Sequence, residues 1–481
     1  MPYLSRNNVK MPMIQSSYIT DSFLLECDLA NYLYHNYASD LPIIDYHNHL
    51  EAKDIWLDRS YQSISEAWLK YDHYLWRAMR SVGIEEHFIT GDASEYEKFE
   101  KWCETMPYLI GSPLYQWCHL ELKRYFDLDC LITPKNCATI WQHCNDILAS
   151  GALSARNILI KNKVDTLCTT DDPLSDLHYH QALAESDFTV KVLPTFRTDA
   201  LVNVSQPTIF GDMLTRLSDS TGISIHQLSD FQAALIQRID YFHQAGCRLS
   251  DIGINIVNYV EYDDTQIEFI FQKMLSLQHL SDTEQQQWQS ATFQFLGQQY
   301  HQRQWTMQVH IGVQPNVNQR RLQQIGAGTG FSIMHDAKVV TPLALLLDKL
   351  DQTNQLPQTV LYNLNPKDTW SIASLIGAFQ DSVTSAGKIQ LGAAWWFNDH
   401  KQGMINQMSA LANLGALGAF VGMLTDSRNL FSMSRHEYFR RVLCNLLAKW
   451  VNSGELPNDP ELLKQSIENI CFLNAKRYFH F

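Results

Sequence analysis

From about residue 164 onward, short β-rich runs alternate with amphipathic helical segments, and this alternation limits the fold more than any other feature. Strands that alternate with helices pair in parallel, because each helix carries the chain back before the next strand. Together with an earlier apolar run, eight such units predict an α/β fold, a closed (β/α)8 TIM-type barrel, with a doubly wound open sheet as the alternative. The predicted strands are residues 41–51, 164–172, 189–199, 247–255, 306–312, 358–365, 388–399 and 419–428.

Helical segments precede and interrupt this pattern. Residues 18–40 keep a helical spacing of apolar side chains and predict an N-terminal helix that Asp21 or Ser22 could cap. Residues 52–160 carry no convincing strand and predict a helical insertion after the first strand. The expected organisation is an N-terminal helix with the first strand, the insertion and the rest of the barrel, over residues 1–51, 52–160 and 161–481.

Composition excludes several classes of protein. The 481 residues are 45% hydrophobic and 18% charged, which suits one large barrel with insertions and argues against disorder. A net charge of −14 argues against nucleic acid as a partner. The ten cysteines form no CxxC pair, as expected for free thiols in a reducing cytoplasm. Residues 1–17 have no long apolar run and residues 409–424 are too short for a membrane span, so we expect neither a secretory signal nor a membrane partner.

Histidines two residues apart, His47 and His49, follow the first apolar run. Alternate residues of a strand share a face, so both imidazoles can hold one metal ion at the carboxyl edge, where barrel active sites lie. The last predicted strand ends in Asp426 and Arg428 with the same spacing, and barrel closure brings it beside the first. His47, His49 and Asp426 are therefore candidate metal ligands, and Arg428 can pair with an anionic oxygen.

Both motifs also have simpler interpretations. A His-x-His pair can be a His-rich surface turn, and Asp426 with Arg428 can be a turn with a surface salt bridge. The apolar residues 418–424 before Asp426 favour a buried strand over the surface turn. No GxGxxG follows any predicted strand, so a Rossmann dinucleotide site has no support.

Longer stretches of the chain resemble the uronate (glucuronate) isomerase family, which belongs to the amidohydrolase-like metal-dependent barrels. The resemblance runs from about Phe23 to the C-terminus, and its motifs are too long to match by chance. They are LPIIDYHNHL, DHYLWRAMR, PLYQWCHLELKRYF, TTDDP, LPTFR, MQVHIG, AWWFND, VGMLTDSRNLFSMSRHEYFRRVLCNLL and ICFLNAKRYF.

The resemblance implies roles for the matching residues. It makes His47, His49 and Asp426 ligands of a divalent metal ion, with zinc the first choice and manganese the second. The catalytic residues that it implies are Asp426, Arg428, His73 and Tyr74, and the substrate-binding residues are Arg197, His310, Trp395 and Arg77.

The residues alone leave the roles of some of these side chains open. Without the family pattern, His73 and His310 could equally be buried structural histidines. Trp395 and Trp396 should point in opposite directions, one toward the pocket and one toward the core, and the sequence does not decide which.

The resemblance implies aldose–ketose isomerisation of a hexuronate, D-glucuronate to D-fructuronate or D-galacturonate to D-tagaturonate. The reaction takes a proton from C2, passes through an enediol and returns a proton to C1. Asp426 is the first choice of base, and His73 or Tyr74 the second. Arg428, with Arg77 or His310, would stabilise the enediolate, and Arg197 would pair with the substrate carboxylate. We expect a cytoplasmic enzyme, either monomeric or a homo-oligomer, with a small-molecule hexuronate as its partner.

Three places depart from the family pattern and keep rival functions open. Ile252 stands where the family carries a histidine, the segment after Gly312 reads Val-Gln-Pro-Asn in place of an Arg followed by Asn residues, and GTGFSIMHDA lacks an expected Asp. One rival is a metal-dependent hydrolase on the same barrel, for which His310 could supply a further ligand. The other is a divergent homologue that binds a sugar acid with reduced activity.

Overall fold

A ring of short parallel strands forms the centre of the molecule, in a computed structural model that describes residues 17–382 and 386–481. Residues 1–16, where we expect no secretory signal, lie outside the described part. The strands of the ring are β1 Ile43–Asp45, β2 Val164–Cys168, β3 Lys191–Leu193, β4 Phe196–Arg197, β5 Leu249–Ile254, β6 Thr306–Ile311, β9 Thr359–Asn363 and β10 Ile389–Leu391, and β7 Val313–Gln314 and β8 Ile333–Met334 form a separate hairpin.

Two parallel sheets make up most of the ring. One has the order β1-β2-β3 and the other the order β4-β5-β6-β9-β10. They meet where the backbone N–H of Arg197 donates to the carbonyl of Asp171 at 3.1 Å, so that β4 continues the ring beside the end of β2. The parallel pairing follows from the helical crossovers, as the alternating pattern predicts.

Residues 419–428, the predicted eighth strand, close the ring. The N–H of Asp426 donates to the carbonyl of His47 at 3.1 Å, and the N–H of His49 donates to the carbonyl of Ser427 at 2.8 Å. On the other side, the side chain of Gln390 accepts from the N–H of Val421 at 3.1 Å. The TIM-type barrel is therefore confirmed.

The closing segment is nevertheless not a regular strand, and that part of the prediction is wrong. Gly422 and Asp426 have φ angles of 80° and 48°, which a β ladder cannot accommodate. A Cβ at position 422 would lie 2.2 Å from the carbonyl oxygen of Ile470, so only glycine fits there.

Two other regions differ from the prediction. The predicted strand 189–199 is split into β3 and β4, and Pro194 lies between them without an N–H for the ladder. The short antiparallel hairpin of β7 and β8 was not predicted. It belongs to the loop after β6, where its polar and glycine-rich sequence gives no strand signal.

Helices surround the ring and fill the long connection between β1 and β2. Residues 52–160 contain helices and an isolated bridge between Ser60 and Ser154, in agreement with the predicted helical insertion. The α-helices are α1 Asp28–Leu33, α2 Ala52–Trp56, α3 Ile64–Leu69, α4 His73–Ser81, α5 Glu95–Thr105, α6 Pro113–Phe126, α7 Cys137–Ala149, α8 Ala155–Lys161, α9 His178–Ala184, α10 Asp199–Val202, α11 Pro207–Thr221, α12 Leu228–Gln244, α13 Asp264–Leu275, α14 Asp282–Gln302, α15 Gln319–Ile325, α16 Val340–Asp351, α17 Thr369–Ile376, α18 Lys401–Leu414, α19 Ser434–Asn452, α20 Pro460–Glu468 and α21 Asn474–Tyr478.

The N-terminal helix is shorter than predicted. It begins at Asp28, is preceded by Cys27 in an extended conformation, and continues into a π turn over Tyr34–Ala38. Capping by Asp21 or Ser22 is therefore wrong. Residues 21–24 form a turn in which Leu24 has a φ of 62°, a conformation that a helix does not contain.

The core is continuous from the ring outward. Large side chains of the surrounding helices are buried in it, among them Trp68, Trp102 and Trp288. All ten cysteines lie in the described part and are free thiols. Within that part, no helix combines the length and the apolar character that crossing a membrane requires.

Candidate active site

Three side chains meet at the carboxyl edge where the ring closes. The Nε2 atoms of His47 and His49 lie 3.3 and 3.1 Å from Oδ1 of Asp426. His47 and Asp426 are buried, whereas 24% of the His49 side chain is exposed. The segment directly after β1 positions the two histidines and the closing segment positions the carboxylate, so the structure brings together the three residues that the sequence singled out.

The donor atoms of this cluster fit a metal ion. Both ring nitrogens of His47 and Oδ1 of Asp426 are buried without a hydrogen-bond partner among the described residues. Buried polar atoms are seldom left unpaired, so such atoms facing one another indicate a missing ligand. The three ligand atoms lie within 4.8 Å of one another, and two imidazoles with one carboxylate are a ligand set of catalytic metal sites.

Electrostatics prepare two of the three groups for a cation. Burial lowers the pKa of His49 to about 4, so its imidazole is neutral. Burial alone would raise the pKa of Asp426, but the adjacent His47 and His49 hold that pKa well below its usual range. Burial lowers the pKa of His47, yet the carboxylates of Asp251 and Asp426 raise it overall, so a metal ion has to displace a proton there.

The second oxygen of Asp426 faces other side chains. Trp395 donates its indole N–H to Oδ2, and the hydroxyl of Tyr74 lies 3.4 Å from the same atom. The φ of 48° at Asp426 is uncommon for a residue other than glycine and turns the carboxylate inward. The two oxygens of Asp426 therefore have different neighbours, imidazoles on one side and hydrogen-bond donors on the other.

Asp251 is a site residue that the sequence analysis missed. It is fully buried in β5, and its carboxylate contacts Nε2 of His310, lies 3.1 Å from Nη1 of Arg197 and lies 3.9 Å from Nδ1 of His47. Burial would raise the pKa of Asp251, but His310, Arg197 and His47 hold it well below its usual range. A charged residue inside an otherwise buried strand was the signal that could have identified it.

His47, Asp251 and His310 form a second group with metal-ligand spacing. In this group the carboxylate is already neutralised by the guanidinium of Arg197, which sits within ion-pair distance. The cluster of His47, His49 and Asp426 has no arginine bonded to its carboxylate among the described residues and is the better cation site.

A cavity of about 200 Å³ opens on the metal-ligand cluster. It is large enough for one small molecule and is lined by polar groups from several strand ends, as in other barrel enzymes. All of the predicted catalytic and substrate-binding residues lie on its wall. The lining residues are His49, His73, Tyr74, Arg77, Arg197, His310, Gly328, Gly330, Ser332, Trp395, Trp396, Asp426 and Arg428.

Helix α4 supplies one wall of the cavity. Asp72 caps this helix by accepting from the N–H of Tyr74 at 2.8 Å, which fixes the residues that follow. Burial and the charge of Arg428 lower the pKa of His73 to about 3, so its ring is neutral. Arg77 donates to the carbonyl of Ser332 at 2.8 Å and so joins α4 to the loop before β8.

Trp395 and Trp396 both line the cavity, and the prediction that one of them faces the core is wrong. Alternation requires an extended strand, but β10 ends at Leu391. Trp396 has a φ of 51° and begins a 3₁₀ turn, which brings its ring to the same side as that of Trp395.

Two arginines of the cavity differ in their partners. Arg197 donates from Nε and Nη2 to Asp199 at 2.8 and 3.2 Å, in addition to its contact with Asp251. Arg428 makes no side-chain hydrogen bond or ion pair with the described residues. It also borders a second cavity, of about 560 Å³, that shares His49 with the first. Arg428 therefore offers its guanidinium to an anion, whereas an anion at Arg197 competes with Asp199.

A comparison with protein families identifies the chain. The family model for glucuronate isomerase matches residues 15–479. The chain belongs to the glucuronate isomerase family. Among its relatives, the uronate isomerase of Bacillus pumilus is 46% identical over 465 residues, which cover 97% of each chain. The uronate isomerase of Bacillus subtilis is 45% identical over 461 residues, 96% of this chain and 97% of the relative.

Solved structures of the family share the fold. A uronate isomerase from Thermotoga maritima superposes with a TM-score of 0.91 at 30% identity, covering 96% of this chain and all of the other. The glucuronate isomerase of Caulobacter crescentus superposes with a TM-score of 0.88, covering 96% and 97% of the two chains. At 22% identity the second comparison supports the fold alone. For this member of the glucuronate isomerase family, the fold and the family are thus established.

Proposed function

We propose that this chain is an isomerase that interconverts hexuronates with their ketoses, D-glucuronate with D-fructuronate and D-galacturonate with D-tagaturonate. The family supports the reaction. The observation that carries the proposal is the meeting of His47, His49 and Asp426 at a small cavity with cationic walls. A protein with a net charge of −14 needs such a local concentration of positive charge to take up an anion.

The metal proposed for this site is a divalent ion held by His47, His49 and Asp426, with zinc the first choice and manganese the second. Bound there, such an ion would supply a Lewis acid for the C1 carbonyl or the C2 oxygen of the substrate. Nitrogen-rich ligand sets favour zinc over the hard cations magnesium and calcium.

Asp426 is the proposed base that removes the proton from C2. Its low pKa keeps it ionised, and its Oδ2 faces the cavity beside Tyr74. Burial raises the pKa of Tyr74 well above the usual value for tyrosine, so its hydroxyl keeps its proton and can donate a hydrogen bond. His73, whose low pKa keeps its ring neutral on the same wall, is the alternative proton carrier.

The arginines and His310 are proposed to bind the charges of the substrate. Arg428, which has no ion-pair partner among the described residues, would stabilise the negative oxygen of the enediolate, assisted by Arg77. Arg197 would bind the substrate carboxylate through the edge that now pairs with Asp199. Asp251 would hold Arg197, His310 and the Nδ1–H of His47 in place, since a metal-binding histidine commonly donates its other nitrogen to a carboxylate.

One experiment separates this proposal from its rivals. Purified protein is incubated with glucuronate and galacturonate, with and without a chelator, and ketose is measured. Ketose formation that the chelator abolishes supports the proposal. Hydrolysis of amides or lactones without ketose would indicate a hydrolase, and binding of a uronate without turnover would indicate the divergent homologue.

Three further features concern the structural units of the protein, its location in the cell and its oligomeric state. We propose that residues 1–51, 52–160 and 161–481 are its three structural units, with the insertion forming part of the cavity wall through α4. We propose a cytoplasmic location, in which free cysteines are stable. The protein is either a monomer or a homo-oligomer, and light scattering of the purified protein distinguishes the two.

A further inference from the structure

Arg435 is a buried cation behind the cavity that has no role in the reaction proposed above. It lies in the first turn of α19 and is 3% exposed. Burying a charge is costly unless partners surround it. The contacts of Arg435 therefore indicate the role of its charge.

The guanidinium of Arg435 contacts parts of the chain that are distant in sequence. Nη1 donates to the carbonyl of Thr425 at 3.0 Å and to the carboxylate of Asp399 at 3.4 Å. The same group lies 4.0 Å from the ring centre of Trp117 and 5.9 Å from that of Tyr74. One side chain thus touches the neighbour of Asp426 and the ring of Tyr74.

Each contacted segment carries a residue of the cavity. Thr425 directly precedes Asp426, and Asp399 ends the turn that begins after Trp395. Tyr74 lies in the first turn of α4, whose cap residue is Asp72. Burial raises the pKa of Asp72, and the charge of Arg435 opposes this increase. The three segments share no strand or helix with one another, and they meet at two places, at Oδ2 of Asp426 and at Arg435 behind it.

A second arginine on the same helix shows what a purely structural buried cation looks like. Arg441 is 1% exposed, donates to the carbonyls of Asp21 and Phe23 at 2.8 and 2.9 Å, pairs with Glu437 at 2.9 Å and lies 4.1 Å from the ring of Tyr34. None of these partners lines the cavity. The two arginines are similar in burial and in types of contact, but only the partners of Arg435 belong to segments that carry cavity residues.

We propose that Arg435 is a positioning residue for the reaction, which fixes Tyr74, Trp395 and Asp426 relative to one another by linking the segments that carry them. The inference rests on the proposed function. It assigns Arg435 no contact with substrate or metal. Small displacements of positioned groups are expensive in catalysis, because a shift of about 1 Å can cost on the order of a hundredfold in rate.

The test compares Arg435→Met and Arg435→Lys with the matched control Arg441→Met, all as full chains loaded with Zn²⁺. We expect Arg435→Met to lower kcat by at least about tenfold with a smaller change in KM, since Tyr74 and Asp426 act on the reacting atoms and only Trp395 is proposed to bind the substrate. Arg435→Lys should recover part of kcat, because the cation is kept and the forked hydrogen bonding is lost. Arg441→Met should keep the wild-type kcat whatever its loss in thermal stability.

A second readout does not depend on turnover. Each protein is loaded with Co²⁺, whose visible absorption spectrum reports the geometry of its ligands. We expect a changed spectrum for both Arg435 variants and the wild-type spectrum for Arg441→Met, because of the two arginines Arg435 alone donates to the backbone beside Asp426. If Arg435→Met does not fold, Arg435→Lys carries both comparisons.

The outcomes are separable. A wild-type protein that forms no ketose contradicts the proposed function, while the Co²⁺ comparison still tests whether Arg435 positions Asp426. Arg435 variants whose spectrum and kcat equal those of Arg441→Met would overturn the inference and leave Arg435 a structural residue.

Discussion

At the scale of single residues, Asp426 combines more constraints than any other side chain of the cavity. One oxygen faces two imidazoles, the other faces an indole N–H and a phenol, and the backbone holds a left-handed φ. This confinement suits Oδ1 to a metal ion and fixes the position of Oδ2, the oxygen proposed to take the proton from C2.

Replacing Asp426 with asparagine should therefore abolish the reaction without unfolding the protein. We expect Asp426→Asn to lose at least about a hundredfold in kcat, the usual size of a general base contribution, and to lose bound metal. Steady-state kinetics and elemental analysis of the dialysed protein measure the two effects. Asp368→Asn, which alters a buried carboxylate that does not line the cavity, is the control. Wild-type turnover in Asp426→Asn would show that the assignment is wrong.

Arg197 gives a prediction about substrate charge. Arg197→Met should raise KM for a uronate by about tenfold or more, because a charge-assisted pair to the carboxylate is lost, and should have much less effect on a neutral aldose. The control is Arg238→Met, since Arg238 is a buried arginine that donates to backbone carbonyls away from the cavity. Equal changes in KM for both substrates would remove Arg197 from the carboxylate site.

The residues of the site could be predicted to different extents. His47, His49 and Asp426 were predictable because their spacing is local and their strands are first and last in the barrel. Asp251 was not, because its role depends on which side chains of the neighbouring strands β4 and β6, and of the segment after β1, come into contact with it. The directions of Trp395 and Trp396 were mispredicted because alternation fails where a strand ends.

At the scale of elements, helix α6 of the insertion contains a buried carboxylate, that of Glu121. Trp68 of α3 donates to Glu121 of α6 at 2.6 Å, which joins two helices of the insertion in a dry environment. Burial raises the pKa of Glu121 to about 7, although Arg435 opposes the effect. The folded protein therefore holds a proton here over a pH range in which the unfolded chain has released it.

This buried carboxyl predicts a pH-dependent stability. The pKa of Glu121 is higher in the folded protein than in the unfolded chain. Its contribution to the stability of the folded state is therefore present below about pH 4.5 and is lost as the pH rises toward 7. Glu121→Gln removes this dependence, so urea unfolding should show the variant gaining stability relative to wild type between pH 5 and pH 8, by at most about 3 kcal/mol. A relative stability that does not change with pH would contradict the raised pKa.

Glu437 serves as a control of opposite sign. Burial raises its pKa, but Arg124 and Arg441 lower it overall, so the folded state favours the ionised form. Its stabilisation is present above the unfolded pKa and is lost as the pH falls below about 4.5. Glu437→Gln should therefore lose more stability at pH 7 than at pH 4, in the same unfolding measurement.

At the scale of the whole molecule, closure of the ring creates the candidate metal site. His47 and Asp426 are 379 residues apart, and two backbone hydrogen bonds place their segments side by side. A ligand that bridges the first and last segments of a barrel stabilises the folded state, because the unfolded chain has no such site.

Metal binding should accordingly raise thermal stability. At a Zn²⁺ concentration of about 100 times Kd, the gain is about 2.7 kcal/mol by mass action, which thermal unfolding detects as a higher Tm. Chelation should reverse it, Mg²⁺ should not reproduce it because it prefers oxygen ligands, and Asp426→Asn should not show it. An equal shift in Tm for wild type and Asp426→Asn would place the metal elsewhere.

The sequence by itself determined the alternation of strands and helices, the helical insertion and the pairs of polar residues at the first and last strand ends, because these are properties of local spacing. Tertiary structure alone decided the positions of Asp251 and Arg435 and the irregular closing segment. Asp251 and Arg435 contact groups from other segments of the chain, and these distances depend on strand register and on left-handed turns, which no local pattern encodes.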